Sequence, residues 1–205
     1  MPLTLIKICG ITRLEDAQAA VAAGANALGF VFWPESPRRV DVAVAKRIAS
    51  AVPVVTVGVF VDQPVEEVND IAEAVRLSTV QLHGNETVEY ARRMTRPVWK
   101  ALTLESSVDM WPSDIMVLLD AHDPARKGGT GKTIDWQRAA DIAKRRQVVL
   151  AGGLKPENVG EAVERVRPYG IDVSSGVERE PGIKDVARLK ALFEAVHGSH
   201  HQTRS

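Results

Sequence analysis

A single cysteine, Cys9, stands in a chain of 205 residues, so no disulfide can form within it. That usage fits a reducing compartment. Charge of one sign is also missing. Lys and Arg total 26, Asp and Glu total 26, and the net charge is zero. A nucleic-acid binder driven by bulk electrostatics is thereby disfavoured, and no nucleic-acid partner is expected. No apolar run approaches a membrane span, and MPLTLIKICGITRLEDAQ lacks the basic-then-apolar layout of a secretory signal. The expectation is a soluble, cytoplasmic protein. Neither CxxC nor HExxH occurs, and no GxGxxG follows a strand-like run. No metal site and no dinucleotide cofactor are therefore expected.

What is present is a repeated switch between two patterns. Short β-branched runs read as strands buried on both faces: 3–9, 27–32, 54–61, 78–83, 97–102, 114–120, 147–151 and 170–175. Ala-rich amphipathic stretches between them read as helices: 14–24, 41–52, 65–75, 87–94, 135–146, 156–166 and 183–196. Asp41 and Asp135 suit N-caps, Pro64 and Pro156 suit first helical turns, and Gly24 suits a helix end. Only TLESSVDMWPS, between the fifth and sixth strands, is too short for a helix. Such alternation implies parallel strands with right-handed crossovers. An open doubly wound sheet and a closed barrel both satisfy it. Eight strands favour a single-domain α/β architecture, the (β/α)8 TIM barrel, over residues 1–197, with a polar tail at 198–205 expected to fray.

In a barrel the active site lies at the C-terminal strand ends. Cys9 and Gly10 close the first strand, Gln81-Leu82-His83-Gly84 the fourth, and Asp120 the sixth. Cys9 reads either as a small buried hydrophobe or as a thiolate base. Lys7, two residues earlier, shares its face and would lower the thiol pKa. A lysine inside a barrel needs a counter-charge, and Asp172 on the neighbouring eighth strand is the expected partner. Asp120 emerges from the barrel centre, well apart from Cys9 around the ring. The two could flank a substrate, one taking and one giving a proton. Gly152-Gly153 and Ser174-Ser175-Gly176, after strands seven and eight, stand where barrels bind phosphate. Arg38 and Arg39 follow strand two and suit a carboxylate.

GGTGKT (128–133) imitates a P-loop. The pattern G-x-x-x-x-G-K-[ST] needs glycine at position 126, where Arg126 stands, and the segment does not directly follow a strand. Gly128, Gly129 and Gly131 read instead as part of a mobile lid beside the site.

KICGIT (7–12), GFVFWPESPR (29–38), VGVFV (57–61), VQLHG (80–84), LLD (118–120), GGTGKTIDW (128–136), AGGLKPENV (151–159) and DVSSGVE (172–178) resemble the phosphoribosylanthranilate isomerases of tryptophan biosynthesis. The motifs run in family order over residues 5–185, and the family has Phe where Ile134 stands. The resemblance implies an Amadori rearrangement of a phosphosugar without metal or cofactor. Cys9 is matched to the general base and Asp120 to the general acid. Arg38 is matched to an arginine holding the anthranilate carboxylate. His83 and Asp172, with Lys7, are placed in substrate binding, and Gly152, Gly153, Ser175 and Gly176 in the phosphate cradle. The chemistry asks for a neutral Asp120 and an ionised Cys9, against their reference order. Rival readings are the histidine-pathway Amadori isomerase, a sugar-phosphate epimerase, a binding-only barrel and a nucleotide switch. Cys9 itself, the missing half-repeat and the missing metal ligands count against the first two. A monomer and a homodimer both fit the sequence.

Overall fold

The computed structural model describes residues 3–120 and 135–201. Eight parallel strands close into a barrel in sequence order. They are β1 (Leu5–Cys9), β2 (Ala27–Val31), β3 (Val55–Phe60), β4 (Thr79–Leu82), β5 (Val98–Leu102), β6 (Met116–Leu119), β7 (Val148–Leu150) and β8 (Gly170–Val173). Pairing of β1 with β8 aligns Lys7 with Asp172 and closes the ring. The helices are α1 (Leu14–Ala23), α2 (Val42–Ser50), α3 (Val65–Val75), α4 (Val88–Ala91), α5 (Trp136–Ala143), α6 (Val159–Val166) and α7 (Val186–His201). The β5–β6 link holds only a 3-10 turn, Val108–Met110, as its length requires. No helix among the described residues is long and apolar enough to cross a membrane.

The period-2 pattern splits the core into layers. Leu5, Ala27, Val57, Trp99, Ala101, Leu118, Val149 and Ala151 fill the barrel. Cys9, Val31 and Val59 form a small cluster with Trp33 packed on it. Ile6, Ile8, Leu28, Phe30, Val117, Leu119 and Leu150 join the sheath between strands and helices. Truncating a fully buried residue such as Leu118 to Ala removes about 2–5 kcal/mol.

Local signals explain most boundaries. Asp41 accepts from the Ala43 amide, and Asp135 from those of Gln137 and Arg138. Gly24 closes α1. Pro64 is itself the N-cap of α3, while Pro156 lies in the turn before α6, whose N-cap is Asn158. Two helices start three residues later than their patterns suggest, α6 at Val159 and α7 at Val186. Ile183 and Lys184 form β10, which pairs antiparallel with β9 (Glu178–Glu180). Asp185 then caps α7 through the Ala187 and Arg188 amides. The lid glycines Gly128, Gly129 and Gly131, the rest of GGTGKT, Ile134 and residues 202–205 of the expected tail lie outside the described residues.

Candidate active site

Lys7 and Cys9 face inward from β1, two residues apart. Both are buried. Room for them comes from Gly29, which pairs with Cys9 on β2. A Cβ at Gly29 would stand 2.6 Å from Cys9 Sγ and 2.9 Å from Lys7 Cε, closer than side chains pack. Lys7 Nζ donates to Asp172 Oδ2 at 2.8 Å and to Gln81 Oε1 at 3.0 Å. The expected Lys7–Asp172 pair is therefore present.

Burial alone would lower the Lys7 pKa, but the charges of Asp172 and Cys9, with the hydrogen bond to Asp172, hold it above its ordinary value. For Cys9 the balance runs the other way. Burial pushes the thiol up, Lys7 pulls it down, Asp172 pushes up again and Lys184 pulls down, with a net rise. Lys7 acts in the sense expected from the sequence, yet burial is the larger effect and favours the thiol.

A second buried lysine sits beside Cys9. Lys184, on β10, donates to the Cys9 carbonyl at 2.5 Å and to Glu178 Oε1 at 2.8 Å. Burial lowers its pKa against the opposing charge of Glu178. Glu178, on β9, takes Arg38 in a two-pronged grip: Nε at 3.0 Å from both carboxylate oxygens and Nη2 at 2.7 Å from Oε2. Burial would raise the Glu178 pKa, but Arg38 and Lys184 together hold it below the usual carboxylate range. The hairpin is fastened further by Thr12 Oγ1 to the Gly182 carbonyl at 2.6 Å and by the Lys184 amide to Asp16 at 3.1 Å.

Across the mouth, Asp120 follows β6, its amide donating to the Leu102 carbonyl at 2.9 Å. Its Oδ2 lies 3.5 Å from His83 Nε2. Gln81 and His83 share the inner face of the β4 end, with Gln81 Nε2 2.9 Å from His83 Nδ1. Gln81 is 1% exposed.

The loops after β7 and β8 form the third part. Gly152 and Gly153 adopt φ of 83° and 66°, a left-handed turn suited to glycine. Gly176 packs flush on the Leu154 carbonyl, where a Cβ would overlap the oxygen. Asn158 ties the first loop through the Lys155 amide and the Gly153 carbonyl, and Arg188 Nε holds the Gly176 carbonyl at 2.9 Å. Ser175 is exposed beside them.

The fold thus gathers Lys7, Cys9, Arg38 and Asp172 on one flank, and His83 and Asp120 on the other. Gly152, Gly153, Ser175 and Gly176 lie in neighbouring loops. Arg39 parts from Arg38: its side chain is exposed and its backbone bridges Val31. The sequence offers Gln81 as a polar strand-end candidate without a role, and it gives Glu178, Lys184 and Trp33 no role at all. The even spacing of Gln81 and His83 in VQLHG was a usable signal. For Glu178 and Lys184 there is none, because strands of three and two residues are too short to show a period of two.

A family model described as N-(5'phosphoribosyl)anthranilate (PRA) isomerase matches residues 6–195. An N-(5'-phosphoribosyl)anthranilate isomerase of Chromohalobacter salexigens is 48% identical over 211 residues, covering 98% of this chain and 97% of that protein. The crystal structure of phosphoribosyl anthranilate isomerase from Thermotoga maritima superposes with a TM-score of 0.87 at 43% identity, over 95% of this chain and 99% of the other. A similar structure, at TM-score 0.83 and 41% identity with the same coverage, holds reduced 1-(o-carboxyphenylamino)-1-deoxyribulose 5-phosphate.

Proposed function

The chain belongs to the N-(5'-phosphoribosyl)anthranilate isomerase family, and from that premise we propose how its own residues carry the reaction. The enzyme is an aldose–ketose isomerase of tryptophan biosynthesis. It converts N-(5-phosphoribosyl)anthranilate to 1-(2-carboxyphenylamino)-1-deoxyribulose 5-phosphate by an Amadori rearrangement. The phosphate sits on the backbone of the glycine turns at 152–153 and 175–176. The anthranilate carboxylate meets the edge of Arg38 that Glu178 leaves open, and Trp33 offers its ring an apolar wall.

Asp120, as the acid, gives its proton to the furanose oxygen. The C1–O bond breaks and its electrons stay on that oxygen, while the nitrogen lone pair forms the C1=N iminium. Cys9 thiolate then removes the C2 proton. The C–H electrons become the C1=C2 bond, and the iminium electrons return to nitrogen. Protonation at C1 and loss of the enol proton give the C2 ketone. The thiolate is needed only after ring opening, when the iminium cation adds to the charges of Lys7 and Lys184, which already pull the thiol pKa down. Among the described residues Asp172 Oδ1 is buried without a hydrogen-bond partner, which suits an acceptor for a substrate hydroxyl or N–H.

The observation that carries this reading is the opposition of Cys9 on β1 and Asp120 after β6 across one closed ring. The test is loss of anthranilate fluorescence, with substrate generated in situ. Cys9→Ser and Asp120→Asn are each expected to slow turnover by about 10²–10⁴-fold. Near-normal turnover in either variant removes that residue from its role.

A further inference from the structure

An ammonium has donors and no acceptor. The Lys7 Nζ contact at 3.0 Å therefore fixes the carbonyl end of the Gln81 amide toward Lys7. The NH2 end then faces His83 Nδ1, 2.9 Å away. An amide NH2 only donates here, so Nδ1 accepts and carries no proton. In the neutral ring the hydrogen sits on Nε2, the nitrogen 3.5 Å from Asp120 Oδ2. A flipped amide would set its NH2 against the ammonium, donor to donor, at a residue only 1% exposed. Lys7 donates to Asp172 on one side, and on the other the order Lys7, Gln81, His83, Asp120 is a chain with one donor–acceptor direction.

We infer that Gln81 is a positioning residue for the acid: locked by Lys7, it holds His83 as the Nε2–H tautomer, whose N–H steadies one oxygen of Asp120. The other carboxyl oxygen then carries the proton to the ring oxygen of the substrate. The 3.5 Å separation is longer than a formed hydrogen bond, and the inferred N–H···O contact is one that substrate would tighten. Lys7 accordingly serves both flanks, acting on Cys9 through its charge and reaching Asp120 through Gln81 and His83. The inference rests on Asp120 being the acid.

The experiment is 15N NMR of imidazole-labelled enzyme without substrate, with the His83 signals assigned by their loss in His83→Asn. Wild type is expected to show a protonated Nε2 and a bare Nδ1. Gln81→Glu keeps an acceptor for Lys7 but offers His83 only acceptors, so Nδ1 should gain a proton. Gln81→Leu should give mixed tautomers. Both variants are expected to lower kcat about tenfold, as for one lost hydrogen bond to a charged group, with KM unchanged. A wild-type Nδ1–H tautomer, or a tautomer change in Gln81→Glu with unaltered kcat, overturns the proposal. The NMR readout needs no turnover, so the two failures separate. Normal activity of Asp120→Asn overturns the acid assignment and the positioning role built on it. A wrong tautomer alongside an inactive Asp120→Asn overturns the role of Gln81 alone.

Discussion

The two flanks of the barrel mouth are built to different tightness. Around Cys9, Lys7 and Lys184 are fully buried and each meets a carboxylate at 2.8 Å, while Arg38 is gripped by Glu178 at 2.7 Å. Around Asp120 the carboxylate and His83 are partly exposed and 3.5 Å apart. The difference follows the chemistry proposed above. The base must remove a carbon-bound proton, which demands a fixed sulfur and little water. The acid must follow a ring oxygen that moves away as the ring opens, which demands some freedom. Pre-organised charge on one side and adjustable contact on the other are two answers to two steps.

Lys7→Met would break this contrast most severely. It strands Asp172 as a buried charge and is expected to cost about 3–5 kcal/mol of stability, measured by chemical denaturation. His83→Asn, on the loose flank, should change stability by less than about 0.5 kcal/mol. Equal losses would mean that the flanks do not differ.

Glu178→Gln frees the guanidinium of Arg38 without touching either proton-transfer residue. KM is expected to rise about tenfold while kcat holds, as for loss of one charge-assisted contact, in steady-state kinetics. A fall in kcat alone would place Glu178 in the proton transfers instead.

The same residue gives a pH signature. The Glu178 pKa is depressed from an ordinary 4.5 in the folded state. Its share of stability is therefore full above that value and disappears as pH falls through the lower folded value. Denaturation curves of wild type and Glu178→Gln should differ near pH 6 and converge on acidification. Parallel curves would assign the lost stability to packing. Arg39→Ala has the smallest expected effect, none on KM or Tm, because its side chain points to solvent. A raised KM would return Arg39 to the site.

Much of the frame was legible because the physics is local. Strands buried on both faces must be continuous apolar runs, and caps such as Asp41 and Asp135 announce the helices behind them. Lys7 was legible for a related reason: a charge inside such a run needs a partner, and ring closure offers Asp172. Lys184 follows the same rule but was hidden, since Ile183 and Lys184 look like the first turn of α7. Two residues are too few to show a period of two. Arg38 and Glu178 are 140 residues apart in sequence, so their pairing depends on tertiary structure alone. The direction of the Cys9 shift was also out of reach, because it depends on the depth of burial.

Closure of β1 on β8 joins Lys7 to a residue 165 positions later, and Lys184 reaches Cys9 across 175. Contacts of such separation form late, because the loop between them must be closed first. During synthesis Cys9, the proposed base, therefore waits for almost the whole barrel. A nascent chain that stops short of residue 170 carries its reactive sulfur beside an ammonium with no carboxylate to hold it. Catalytic competence thus appears at the end of translation, as a by-product of closing the ring.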